Sequence, residues 1–178
     1  MAVVDVSVKV VLHAPNVDPP YHFETTDLPM GPDNVLYFRN CKKNDWFRIS
    51  YNLDDTANPG YRFPPGQGPV QLQNALWVQQ GFGCPQSQSS WTQFKPHSVT
   101  NNGGTLVVDN MNQNQQDFSY TLRVVKTVDG NEHWLDLDPG GVNRNGGSGA
   151  MTLFSATNVL FFLAGVAITA AYFVFAMN

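Results

Sequence analysis

FSYTLRVVK, residues 118–126, places Phe118, Tyr120, Leu122 and Val124 in strict alternation with Ser119, Thr121 and Arg123. Successive side chains of a strand point to opposite faces, so this spacing predicts a strand with one face on an apolar core and the other toward water. The same vocabulary recurs on both sides of it. Val4, Val6, Val8 and Val10 alternate with Asp5, Ser7 and Lys9, and β-branched or aromatic runs follow at 34–39 (NVLYFR), 46–51 (WFRISY), 75–79 (ALWVQ), 105–109 (TLVVD) and 133–137 (HWLDL). Each is bounded by Asn, Asp, Gly or Pro, and no long helical period occurs before residue 150. Short strands separated by turn signals predict an all-β domain, an antiparallel sandwich rather than a parallel sheet.

Two connections are longer than turns. Residues 52–74 and 80–102 are dense in Pro, Gly, Gln and Ser, yet carry Tyr61, Phe63, Phe82, Trp91 and Phe94. Disordered linkers lack such aromatics, and long loops in a compact domain are commonly functional. Two readings stand side by side: the rings contact a partner, or they fold back as plugs on their own sandwich.

Beyond the β domain, 139–150 (PGGVNRNGGSGA) reads as a Gly/Asn-rich linker, and VLFFLAGVAITAAYFVFAM, residues 159–177, carries no charged side chain. As a helix that run reaches roughly 28 Å, close to the roughly 30 Å hydrocarbon core of a bilayer. The expected organisation is a β domain over 1–138, the linker, and one C-terminal transmembrane helix within 151–178. All 10 Lys and Arg and all 14 Asp and Glu lie at or before Arg144, so the net charge of -4 precedes the apolar run. The basic residues are scattered, with only Lys42 and Lys43 adjacent, which argues against a nucleic-acid partner.

Asp5 and Lys9 interrupt what a secretory signal would need as an apolar core, so the first residues are read as part of the fold. The β domain is then expected on the cytoplasmic side, with Arg144 agreeing by the positive-inside rule and a periplasmic placement as the alternative. Cys41 and Cys84 are compatible with a disulfide in an oxidising space or with two thiols in a reducing one.

Known site chemistries find little to hold. His13, His22, His97 and His133 show no i, i+4 pair and there is no Cys-x-x-Cys, so a zinc site would require convergence in space. Asp54-Asp55 sits in a turn composition, and Asp136 and Asp138 straddle a strand end, where capping and solvation explain them. Gly81-Phe82-Gly83-Cys84 lacks the Lys-Ser/Thr pair and the helix of a phosphate loop. No catalytic residue, metal ligand or cofactor is assigned, and the chain is read as a non-enzyme.

TLVVDN, the polar loop MNQNQQD, FSYTLRVV, the Asp129-Gly130 turn and a strand ending in Leu137-Asp138-Pro139 together resemble the closing strands of cupredoxin-like sandwiches. The earlier VLYFRN and WFRISY are similar to the strand pair that in that family leads to the first copper-binding histidine. The resemblance implies the fold, and the copper ligands are missing from it. Cys84 is followed by no His until His97, the loop before Phe118 holds Met111 but neither Cys nor His, and WFRISY has no His.

The apolar run is more particular than a tether. Gly165 and Thr169 stand four apart, as do Ala167 and Ala171, a spacing of small residues that lets membrane helices approach closely. A sandwich followed by a single helix is similar in build to auxiliary subunits of bacterial reaction-centre and light-harvesting complexes or of respiratory ones. That resemblance implies a non-enzymatic accessory subunit of a photosynthetic or other bioenergetic membrane complex. Its partners are then integral membrane subunits, the lipid bilayer, and pigments or lipids of the host. Partner contacts are expected at Tyr61, Phe63, Phe82, Trp91, Phe94, Gly165, Ala167, Thr169 and Ala171. Two alternatives compete: an anchored ligand-binding module stacking carbohydrate on Tyr61, Trp77 and Trp91, and an electron-transfer cupredoxin.

Overall fold

The computed structural model describes residues 2–38, 45–81, 83–85, 93–113 and 116–143. The chain divides into two units, Met1–Gly147 and Ser148–Asn178, and every described residue belongs to the first. Cys41, Phe82, Trp91, Gly165, Ala167, Thr169 and Ala171 lie outside the described residues, as does the apolar run 159–177. Among the described residues no helix is long and apolar enough to cross a membrane.

The fold is all-β. Its strands are β1 (Val3–Leu12), β2 (Tyr21–Glu24), β3 (Leu36–Phe38), β4 (Trp46–Asp54), β5 (Leu76–Gln80), β6 (Phe94–Thr100), β7 (Thr105–Asn110), β8 (Gln116–Val128), β9 (Asn131–Leu137) and β10 (Gly140–Asn143). The only α-helical turn among the described residues is Gly68–Gln71. One sheet has the order β2-β1-β4-β7-β6; the other has β3-β10-β8-β5, with β9 also paired to β8.

The long β8 is the spine of the second sheet. One of its edges takes β5, and along the other β9 is followed by β10. The β8–β9 turn is Asp129-Gly130, with φ of 51° and 78°, the left-handed pair that a two-residue hairpin demands and that Asp-Gly supplies. Pro139, which has no N–H to give a ladder, marks the step from β9 to β10, where its carbonyl accepts from Tyr120 N–H.

Alternation places the core. Val6, Val8, Val10 and Leu12 of β1, Ile49 and Tyr51 of β4, and Phe118, Tyr120, Leu122 and Val124 of β8 are buried in one cluster to which both sheets contribute. Aromatic rings bridge the sheets: Phe38 to Phe47 at 5.0 Å, Phe94 to Phe118 at 4.4 Å, and Tyr51 to Tyr120 at 6.0 Å between centroids. Burial pushes the Tyr51 and Tyr120 phenols up, so both stay neutral.

The pairing departs from the expected antiparallel scheme at two places: β1 runs parallel to β4, and β3 parallel to β10. A period-2 pattern says which face is buried and nothing about which neighbour a strand takes. Two strands also lie where loop or linker was expected, and β2 lies where no strand was assigned. β6 falls in the stretch 80–102, and its Pro96 sits beside a register shift on the strand at the end of its sheet, a position where a missing N–H costs little. β2 is four residues long, and β10 draws the start of the expected linker into the second sheet.

Candidate functional site

Trp77 stands opposite Thr121, Arg123 opposite Asp136, and Val125 opposite Trp134 across the β5, β8 and β9 ladders. Residues paired in register share a face, and their neighbours Leu76, Val78, Leu122, Val124 and Leu137 are buried, so this set occupies the outer face of the second sheet. Arg123 is the diagonal neighbour of a tryptophan on each flanking strand, within reach for long and aromatic side chains. Its guanidinium carbon lies 3.9 Å from the Trp77 ring centroid and 4.5 Å from that of Trp134. Arg123 Nε–H donates to Asp136 Oδ1 at 2.7 Å, and Trp134 Nε1–H donates to Glu132 Oε2 at 3.1 Å.

The result is a cation held between two indoles, with the Arg123 side chain only 15% exposed and Asp136 at 44%. A planar, weakly hydrated guanidinium suits this position where an ammonium would not. Carboxylates ring the stack: Glu132 and Asp136 on β9, and Asp138, which accepts from the Thr121 hydroxyl. Cys84 is exposed nearby, and the Asp138 charge, then burial, push its thiol above the ordinary value, so it is a poor nucleophile. The face can stack and hydrogen-bond a partner.

A second polar array crosses the outer side of the other sheet. Val11 pairs with His22 and Lys9 with Glu24 on the β1–β2 ladder, while Lys9 faces β4 on its other side. His13 Nε2 lies 2.6 Å from His22 Nδ1, His22 Nε2–H donates to Glu24 Oε1 at 3.0 Å, and Lys9 Nζ reaches Glu24 at 3.6 Å and Asp54 at 2.9 Å. Hydrogen bonds from the Thr56 hydroxyl, then from Lys9 and the Thr56 N–H, lower the Asp54 carboxyl to about 2. Beside this array an open groove of about 490 Å³ is lined by Ser7, Lys9, Phe23, Glu24, Thr25, Thr26, Asp27 and Met30.

The loop aromatics expected at a partner contact separate on inspection. Phe63 is 1% exposed and Phe94 5%, the latter on β6 against Phe118 and Tyr120; both rings are taken up by the core. Tyr61 packs partly against the core with Lys126 Nζ 4.5 Å from its ring centroid. Trp77, named with Tyr61 and Trp91 as a stacking face, is brought into a constellation with Arg123 and Trp134, while Trp91 lies outside the described residues. Trp134 and Arg123 were missed because their relation spans three strands. Alternation marked Arg123 as outward, and only the register of β5 and β9 showed what flanks it.

No family model matches the chain, and no curated protein does. Among solved structures it is similar to an inclusion body protein (PixA) from Burkholderia cenocepacia J2315, at 9% sequence identity and a TM-score of 0.40 over 81% of this chain and 97% of that one. A likeness this distant carries no argument about function.

Proposed function

We propose that the protein is a non-enzymatic accessory subunit of a multi-subunit membrane complex. In this reading a cupredoxin-like sandwich lacking that family's copper ligands is tethered by one C-terminal transmembrane helix and seats its Trp77–Arg123–Trp134 face on an extrinsic surface of its host. The observation that carries the reading is that face. Trp and Arg are the side chains that dominate protein interfaces, and here they are pre-ordered on rigid strands, so little side-chain entropy is lost on docking. The uncharged run 159–177, with Gly165 and Thr169 at close-packing spacing, supports the membrane half. A host of the photosynthetic or respiratory kind follows from the resemblance in build.

The test is extraction in mild detergent followed by identification of what co-purifies. Trp77→Ala with Trp134→Ala, and separately Gly165→Leu with Thr169→Leu, are each expected to lower the yield of partners while the protein stays folded. A native protein that is monomeric in mild detergent, or variants that keep the same partners in the same yield, would overturn the reading.

A carbohydrate-binding module is the second reading, favoured by two indoles set among Glu132, Asp136 and Asp138, groups that stack on and accept from a sugar. Binding of the full chain to a glycan array, lost with Trp134→Ala, selects it over the first. An intense blue absorbance with bound copper would select the electron-transfer reading instead.

A further inference from the structure

The two imidazoles at the end of the β1–β2 hairpin meet in a specific way. His13 Nδ1–H donates to the Pro19 carbonyl at 2.6 Å, and His22 Nε2–H donates to Glu24 Oε1 at 3.0 Å. Both acceptors take hydrogen only, so these outer bonds fix each ring's tautomer and orientation. They turn His13 Nε2 and His22 Nδ1, the two remaining nitrogens, toward one another at 2.6 Å, with ring centroids 4.9 Å apart. Two ring nitrogens aimed at one point are held there by a shared proton or by a metal ion that takes its place.

Metal-bound histidines show this same arrangement, one nitrogen on the ion and the other N–H given to a carboxylate or a backbone carbonyl. Bonds of about 2.0–2.1 Å to a tetrahedral ion require the nitrogens to stand roughly 3.3 Å apart. An opening of about 0.7 Å is small for side chains on the hairpin surface, where His22 is 41% exposed. Glu24 is itself held in place by Lys9, and Lys9 by Asp54, so the anchor of His22 is braced across three strands. The convergence that the sequence spacing could not show is supplied by the fold.

We propose that His13 Nε2 and His22 Nδ1 form a binding site for a divalent transition-metal ion of the zinc or copper type, with the Pro19 carbonyl and Glu24 as outer-shell anchors. Among the described residues no group of three or more His, Cys, Asp or Glu is placed to hold a metal, so water completes the coordination. Binding ties the end of β1 to β2 and closes the connection over residues 13–20. Imidazole ligands and the ordering of divalent ions place Cu²⁺ above Zn²⁺ in affinity. The site is independent of the proposed docking face, which lies on the other sheet.

The experiment titrates the tag-free, chelator-treated full-length chain in detergent with CuCl₂ and with ZnCl₂, by calorimetry and, for copper, by electron paramagnetic resonance. The expected result is one saturable ion per chain, with hyperfine coupling to two imidazole nitrogens in the unmodified protein. His13→Ala and His22→Ala each weaken binding by roughly tenfold or more, Glu24→Gln weakens it by a smaller factor, and His97→Ala with His133→Ala leaves it unchanged. The spectrum of the unmodified protein keeps the test valid should a hairpin variant fail to fold. Absence of saturable binding, a spectrum without two nitrogens, or binding lost in the His97/His133 double variant would overturn the proposal.

Discussion

Removing the guanidinium from between Trp77 and Trp134 tests the geometry on which the proposed docking face depends. A cation over an indole contributes about 0.5–1 kcal/mol when exposed and about 2 kcal/mol when desolvated. Arg123 is 15% exposed and touches two rings, so the two contacts together contribute about 2 kcal/mol. Its bond to the half-exposed Asp136 adds about 0.5 kcal/mol. Arg123→Met, which keeps most of the aliphatic stem, is therefore expected to cost about 2.5 kcal/mol, a fall in Tm of roughly 10 °C for a domain of this size. Urea unfolding of the full-length chain in detergent, followed by near-ultraviolet circular dichroism, measures it. Arg123→Lys should recover less than half, because an ammonium cannot lie flat between two rings. A double-mutant cycle of Arg123→Met with Trp134→Leu should give a coupling of about 1 kcal/mol. Asp136→Asn should cost no more than about 0.5 kcal/mol. A loss under about 0.5 kcal/mol for Arg123→Met, or a coupling indistinguishable from zero, would refute the reasoning.

Phe94→Ala, which empties the space beside Phe118, is expected to destabilise by about 3–4 kcal/mol in the same unfolding assay, and a loss under 1 kcal/mol would mean that the ring is not in the core. The Tyr51 hydroxyl is buried beside the Tyr120 hydroxyl without reaching ordinary hydrogen-bond geometry, so Tyr51→Phe should leave stability unchanged or raise it by up to about 1 kcal/mol; a clear loss would show that the two hydroxyls are bonded. Asp54 has its folded-state value lowered to about 2, below the ordinary carboxylate value, so its contribution is complete above about pH 4 and disappears as pH falls through about 2. Asp54→Asn should accordingly cost about 1 kcal/mol at neutral pH, with a shallower loss of stability between pH 4 and 2, and no difference from the native chain at the acid end. A variant that tracks the native acid-unfolding curve throughout would contradict this.

Local rules carried the strands far. The alternation at residues 118–126 showed both the strand and its buried face, because pleating forces a period of two whatever the neighbours are. The Asp129-Gly130 turn was legible for a similar reason: its φ values are a property of the two residues themselves. Pattern reading failed where a strand is short or interrupted. β2 has four residues, β6 contains Pro96, and β10 begins on glycines, so none offers enough alternation to stand out from loop composition. Phe63 and Phe94 looked like candidates for a partner because a loop aromatic has the same letter whether it faces solvent or a core. The choice is made by the space between two sheets.

An all-β fold, the inward face of its principal strands, and an uncharged run long enough for a bilayer are legible in the residues alone. Which strands are neighbours, and with that everything that lies across a ladder, emerges only in the folded chain. The parallel pairing of β1 with β4, the seat of Arg123 between Trp77 and Trp134, and the meeting of His13 with His22 all depend on register. Register is set by the sum of many weak cross-strand contacts and by loop closure, and no short stretch of sequence contains that sum.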